Sequence, residues 1–218
     1  MPDGGSSTGC QLLLVLKIEL LDNRNIDRAP WFEDWTTMVP EVRITAQKVE
    51  NKGMSEKVFA QILSEVSGLA KTASDLAVLQ NFIVEIIPER LPYYNWTGFY
   101  MLDPDDSQTL VLGPFRGAPT EHVRIPVNQG ICGAAVAQNS TVVVDDVHSD
   151  PRYLACSLEA RSEIVVLIRA NDAVVGEIDI DSHDLAAFSP QDREFLEKCA
   201  IIVGGFMERT QTLSSGAK

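Results

Sequence analysis

Cys156 is the most informative residue of this sequence, because carboxylates cluster around it in the sequence pattern in place of the Lys, Arg or His that usually activate a thiolate. It lies in Tyr153-Leu154-Ala155-Cys156-Ser157, Glu163 follows seven positions on, and the run Glu177-Ile178-Asp179-Ile180-Asp181 comes soon after. That run alternates strictly. As a strand it sends Glu177, Asp179 and Asp181 to one sheet face and Ile178 and Ile180 into a core on the other. Stacked carboxylates repel, so either water solvates them on an open face or a ligand supplies cations and shared protons. Shared protons are what a reaction that expels oxygen requires. The run alone leaves both readings open.

The elements that must carry these groups are marked by periodicity and by turn residues. From Met54, the residues Val58, Ile62, Val66 and Leu69 recur at helical spacing beside Phe59 and Leu63. A second helix is predicted with Ser74 as its N-cap, Leu76, Leu79, Ile83 and Ile86 on its apolar side, and Pro88 as its stop. Six β-rich segments follow: Trp96 to Leu102, Thr109 to Phe115, Val123 to Val127, Thr141 to Val144, Ile164 to Ile168 and Ala173 to Asp181. Asn171-Asp172 reads as a tight hairpin turn between the last two. The small residues of Gly130 to Gln138 suit a short helix packed closely on the sheet. A final helix is signalled by Ser189 at the N-cap, Pro190 at the first helical position and Asp192 at the third, with Phe195, Cys199, Ile202 and Phe206 on its apolar stripe. The expected class is α+β, a mostly antiparallel six-stranded sheet with N- and C-terminal helices on one face. The expected division is an extension over residues 1–53, one domain over 54–208 and a flexible tail over 209–218.

Composition narrows the partners. The net charge of −13 and the pI near 4.6 work against binding nucleic acid or an anionic membrane surface. Cys10, Cys132, Cys156 and Cys199 are widely separated, without the close spacing of a zinc site or a thioredoxin-type motif, and read as cytosolic thiols. The apolar run Leu12 to Leu16 is too short to span a bilayer, and a cytoplasmic location is expected. Asp145, Asp146, His148 and Asp150 read as a turn, so neither a metal nor a cofactor is expected. Cys132, between Gly130 and Gly133, suits either a packing residue or a redox partner. Cys199 falls on the core stripe of its helix, and Trp96 and Tyr100 share one strand face.

Several separate segments coincide with one family. They are Asn95-Trp96-Thr97-Gly98-Phe99-Tyr100, Gly113-Pro114-Phe115-Arg116-Gly117, Arg124 through Gly133, Asp146-Val147-His148, Ala155-Cys156, Arg161 through Val165, and Gly176 through Ser182. In this order, over about Met54 to Glu208, they resemble the GAF-domain enzymes that reduce free methionine-(R)-sulfoxide. The resemblance implies a GAF fold. It also implies that Cys156 attacks the sulfoxide sulfur and becomes a sulfenic acid as methionine leaves. By the same likeness, Glu163, Asp179 and Asp181 hold the substrate and assist loss of its oxygen, while Trp96 and Tyr100 enclose its methyl and sulfoxide end. Thioredoxin or a small thiol is the implied reductant, and a homodimer is compatible with the likeness.

One position departs from the pattern. The family commonly has a resolving cysteine where this chain has His122. Resolution then falls to Cys132 or to an external thiol. A stand-alone GAF module that binds a small ligand or senses redox state without turnover is the alternative. A bilin-binding photoreceptor is disfavoured, because Ser157 and not a histidine directly follows Cys156 to form the Cys-His pair such domains use.

Overall fold

The computed structural model describes residues 40–154 and 159–215, with side chains over 55–154 and 159–212. Two compact units divide at Ser55/Glu56, and the folded domain belongs to the second, Glu56–Lys218. Its helices are α1 (Pro40–Ala70), α2 (Leu76–Arg90), α3 (Gly130–Gln138) and α4 (Pro190–Ser215). Its strands are β1 (Trp96–Asp103), β2 (Asp106–Arg116), β3 (Arg124–Pro126), β4 (Val142–Val144), β5 (Ser162–Ala170) and β6 (Ala173–Ser182). They form a single six-stranded sheet in the order β3-β2-β1-β6-β5-β4, with every neighbouring pair antiparallel. Among the described residues, no helix is long and apolar enough to cross a membrane.

Strict alternation along the central strands divides the domain into two cores. Phe99, Ile164, Val166, Ile168, Ile178 and Ile180 face Ile62 and Val66 of α1, Leu79, Ile83 and Ile87 of α2, and Phe195, Cys199 and Val203 of α4. This is the face expected to carry the terminal helices. The opposite face packs Tyr100, Val165 and Leu167 against Ile131, Cys132 and Ala135 of α3. Gly133 lets α3 sit this close: a β-carbon there would lie 2.6 Å from the Pro126 carbonyl oxygen and 2.8 Å from the Asn128 nitrogen. The hairpin between β5 and β6 turns through Asn171 and Asp172, both at positive φ, as their residue types favour.

Four boundaries differ from the sequence expectation, each for a local reason. Asp75 caps α2, accepting from the Val78 amide at 3.0 Å, while Ser74 donates to the Asp75 carboxylate at 2.9 Å. The charged acceptor takes the cap because it also meets the positive end of the helix dipole. Pro88 does not stop α2, which runs on to Arg90. The last turn closes through the Leu91 amide on the Ile87 carbonyl and is tied to α1 by a bidentate Arg90–Glu65 pair. α1 starts at Pro40, upstream of Met54, where the helical spacing is expected to begin. α4 continues past residue 208 to Ser215, where Arg209 donates to the Ala70 carbonyl at the end of α1 at 2.8 Å.

The start of α4 depends on Asp192, which is 4% exposed. Its carboxylate accepts from the Ser189 amide and hydroxyl and from the hydroxyls of Tyr93 and Tyr94. Asp192 also helps push the pKa of both tyrosines up, although burial is the larger cause. Asp192→Ala removes the reciprocal half of the Ser189 capping box and leaves the buried Tyr94 hydroxyl and the half-buried Tyr93 hydroxyl without this acceptor. The expected cost is about 3 kcal/mol, a fall of roughly 6–12 °C in Tm. A thermal melt that moves by less than a degree would show these bonds to be dispensable.

Candidate active site

The expected acidic face exists, and it is buried. Antiparallel pairing sets Trp96 opposite Asp181, Gly98 opposite Asp179 and Tyr100 opposite Glu177, while on the other side of β6 Glu163 of β5 lies opposite Asp181. Glu177, Asp179, Asp181 and Glu163 are 0%, 1%, 2% and 5% exposed. These values exclude a solvated edge face. Above them sits Cys132, in the first turn of α3, whose thiol donates to Glu163 Oε1 at 4.0 Å. The Cys132 sulfur and one oxygen from each of Glu163 and Asp179 all lie within 4.8 Å of one another. The small-residue helix therefore brings a thiol to the acidic strand, a contact between residues far apart in sequence.

Desolvation dominates the electrostatics. Burial, and then the charges of Asp179, Asp181, Glu177 and Asp150, hold Glu163 well above the usual carboxylate range. Glu177 is raised by burial and by Asp179, against a weak opposing pull from the Cys132 thiol. Asp181 is raised by burial and by Asp179. Asp179 is pushed up to about 7 by burial, against hydrogen bonds from Cys132 and the Ile180 backbone. Mutual repulsion adds to burial, so the four carboxyls resist carrying several charges at once. Among the described residues, both oxygens of Glu177, both of Asp181 and Oδ1 of Asp179 accept no hydrogen bond that meets ordinary geometry. Buried oxygens left in this state cost free energy unless a ligand meets them.

The aromatic wall is anchored in the same way. Trp96 Nε1 donates to the Ala118 carbonyl at 3.0 Å and Tyr100 Oη donates to the His122 carbonyl at 2.8 Å, so both rings hold the segment between β2 and β3. The two rings stack at 6.3 Å, and Trp96 stacks on Phe115 at 5.6 Å. Gly98 leaves space for this arrangement, since a β-carbon there would overlap the Trp96 ring. Gly98→Ala should displace the indole and raise KM for a ligand held against it by roughly tenfold, about 1.4 kcal/mol, with kcat less affected. Unchanged KM would show that Trp96 does not line the ligand site.

Cys156 lies in 155–158, outside the described residues. The residues flanking that segment are fixed beside the site. Leu154 packs against Gly130 at the start of α3, and the Arg161 amide donates to the Ser182 carbonyl at the end of β6 at 2.7 Å. Asp150 and Arg152, held together by bidentate bonds, are both close enough to Glu163 to act on it electrostatically. The strand pattern singled out Glu177 as part of the face but did not mark it as a site residue. Its complete burial opposite Tyr100 on the same face makes it a further candidate. Asp146 caps a 3-10 turn over Val147–Ser149, bonding the His148 amide and the Ser149 hydroxyl, as its turn reading expects. Cys199 is buried in the other core, with its thiol pushed up to about 12 by desolvation.

A curled six-stranded antiparallel sheet, with terminal helices on one face and a buried carboxyl cluster under a short helix on the other, fits a GAF domain, and the sequence matches the GAF domain family over residues 73–204. Within that fold, the chain is 41% identical to free methionine-R-sulfoxide reductase of Escherichia coli (strain K12) over 130 residues, covering 60% of this chain and 76% of the relative. It is 35% identical over 153 residues to the free methionine-R-sulfoxide reductase of Saccharomyces cerevisiae (strain ATCC 204508 / S288c), covering 68% of this chain and 84% of the relative. The X-ray structure of free methionine-R-sulfoxide reductase from Neisseria meningitidis in complex with its substrate superposes with a TM-score of 0.67 at 33% identity, covering 71% of this chain and 91% of that one. The chain belongs to the GAF-domain free methionine-R-sulfoxide reductase family.

Proposed function

We propose that this protein reduces free L-methionine-(R)-S-oxide to L-methionine, with Cys156 as the nucleophile. The observation that carries the reading is the buried set of four carboxyls with raised pKa and unmet oxygens, walled by Trp96 and Tyr100. A sulfoxide oxygen leaves only as it takes up a proton. Burial and like charges let Glu163, Asp181 and Glu177 keep a proton to higher pH than an ordinary carboxylate does, which suits them to donate it. Ionised Asp179 suits the substrate's ammonium group, and the rings of Trp96 and Tyr100 suit its methyl and methylene groups.

The steps balance as follows. The Cys156 sulfur attacks the sulfoxide sulfur, a carboxyl proton moves to the oxygen, and the oxygen passes to Cys156 as a sulfenic acid while methionine departs with the electron pair. A second thiol then condenses with the sulfenic acid, releasing water and leaving a disulfide. That thiol is Cys132 or an external donor, since His122 occupies the family's usual resolving position. Thioredoxin recycles a formed disulfide more readily than a sulfenic acid in a small pocket. Small dithiols should therefore support turnover better than thioredoxin unless Cys132 resolves, and His122→Cys should raise the thioredoxin-dependent rate selectively. A binding module without turnover is not favoured, because the named relatives at 35% and 41% identity are reductases.

The test is methionine formation from racemic free methionine sulfoxide, with dithiothreitol and thioredoxin supplied separately. Consumption of half the racemate, with the S form left over, is the expected result. Methionine formation no greater than in protein-free controls with either donor overturns the reading.

A further inference from the structure

Cys132, Glu163 and Asp179 converge from three separate elements, α3, β5 and β6, each fixed by its own packing. Their donor atoms lie within 4.8 Å of one another, and the thiol is 4.0 Å from Glu163 Oε1. A tetrahedral divalent ion with sulfur at ~2.3 Å and carboxylate oxygen at ~2.0–2.2 Å needs a sulfur–oxygen separation of about 3.5 Å. Closing from 4.0 Å takes about half an ångström, which rotation of a glutamate carboxyl supplies. A second observation also points to a ligand. Asp179 Oδ1 and both Asp181 oxygens, on side chains 1% and 2% exposed, accept no hydrogen bond among the described residues, and Asp181 lies opposite Glu163 in the sheet.

The donor set selects the kind of ion. One thiolate with two carboxylates suits Zn²⁺, Co²⁺ or Cd²⁺, whereas Mg²⁺ and Ca²⁺ require six or more oxygens. We propose that the pocket binds a single thiophilic divalent cation through Cys132 Sγ, Glu163 and Asp179, and that the bound ion excludes methionine sulfoxide. Only the exclusion rests on the reductase reading; the binding does not.

Reduced full-length protein titrated with Co²⁺ should develop a saturable near-ultraviolet thiolate-to-cobalt absorption. Zn²⁺ should abolish it by displacement, and Mg²⁺ should leave it unchanged. Cys132→Ser should lose the band, Asp179→Asn should weaken binding roughly tenfold or more, and Cys199→Ser should retain both band and affinity. In Cys156→Ser protein, which lacks the nucleophile that would turn the substrate over, free methionine-(R)-sulfoxide should discharge the band competitively. X-ray absorption on the zinc-loaded wild type, which needs no variant to fold, should find one sulfur neighbour with oxygen completing the shell. An all-oxygen shell, two sulfurs, no saturable band, or a band that survives Cys132→Ser and vanishes in Cys156→Ser overturns the donor set. Intact binding without competition overturns the exclusion alone, and failed binding leaves the reductase reading untouched.

Discussion

Cys156→Ser is expected to bring methionine formation down to the uncatalysed background, at least ~10⁴-fold, or about 5 kcal/mol of barrier. A serine hydroxyl cannot take up the sulfoxide oxygen as a sulfenic acid, so the route is lost and not merely slowed. Cys199→Ser is the matching control. Its thiol is buried in the helical core and pushed up to about 12, so it is neither accessible nor ionised at neutral pH, and its replacement should lower Tm while turnover stays nearly intact. Substantial turnover in Cys156→Ser would remove Cys156 from the mechanism. Reduced turnover in both variants would point instead to general damage.

Asp179→Asn is expected to make the protein more stable at pH 8 while it impairs function. Asp179 is held at about 7 in the folded state against an ordinary value of 3.8. Below pH ~4 both folded and unfolded chains carry the proton and ionisation costs nothing. Between pH ~4 and ~7 the unfolded chain gives up its proton while the folded chain keeps it, so stability falls as pH rises. The loss is complete above the folded pKa and is on the order of 4 kcal/mol for this shift. Asparagine carries no such penalty. Melts at pH 5 and pH 8 should show a smaller drop in Tm for Asp179→Asn than for wild type. On the catalytic side, Asp181→Asn should lower turnover at least tenfold, about 1.4 kcal/mol, without unfolding the domain. Parallel pH dependence of Tm in wild type and Asp179→Asn, together with unchanged kinetics in Asp181→Asn, would show that these carboxyls do not act on substrate.

Strand alternation over residues 177–181 was enough to place three carboxylates on one face, because a sheet has only two faces and Ile178 and Ile180 claim the core. It could not tell a solvated face from a buried one. What covers these carboxylates is α3 and the segment anchored by Trp96 and Tyr100, brought there by β-pairing between residues distant in sequence. The proximity of Cys132 to Glu163 and Asp179 was hidden for the same reason. Gly130 and Gly133 did announce a closely packed helix, and the Gly133 contact with the 126–128 backbone bears this out. The misplaced helix ends are local competitions. Ser74 and Asp75 are adjacent capping candidates, and tertiary ties through Arg90 and Arg209 extend α2 and α4 beyond what their residues alone predict.

The most direct test of the account is a single turnover without external reductant. Reduced protein mixed with one equivalent of free methionine-(R)-sulfoxide should release methionine in proportion to protein. Mass spectrometry should then find either the mass of one added oxygen on the peptide containing Cys156 or a disulfide joining it to Cys132. No methionine, or methionine released with every cysteine still a thiol, would contradict the assignment of this chain as a thiol-dependent reductase acting through Cys156.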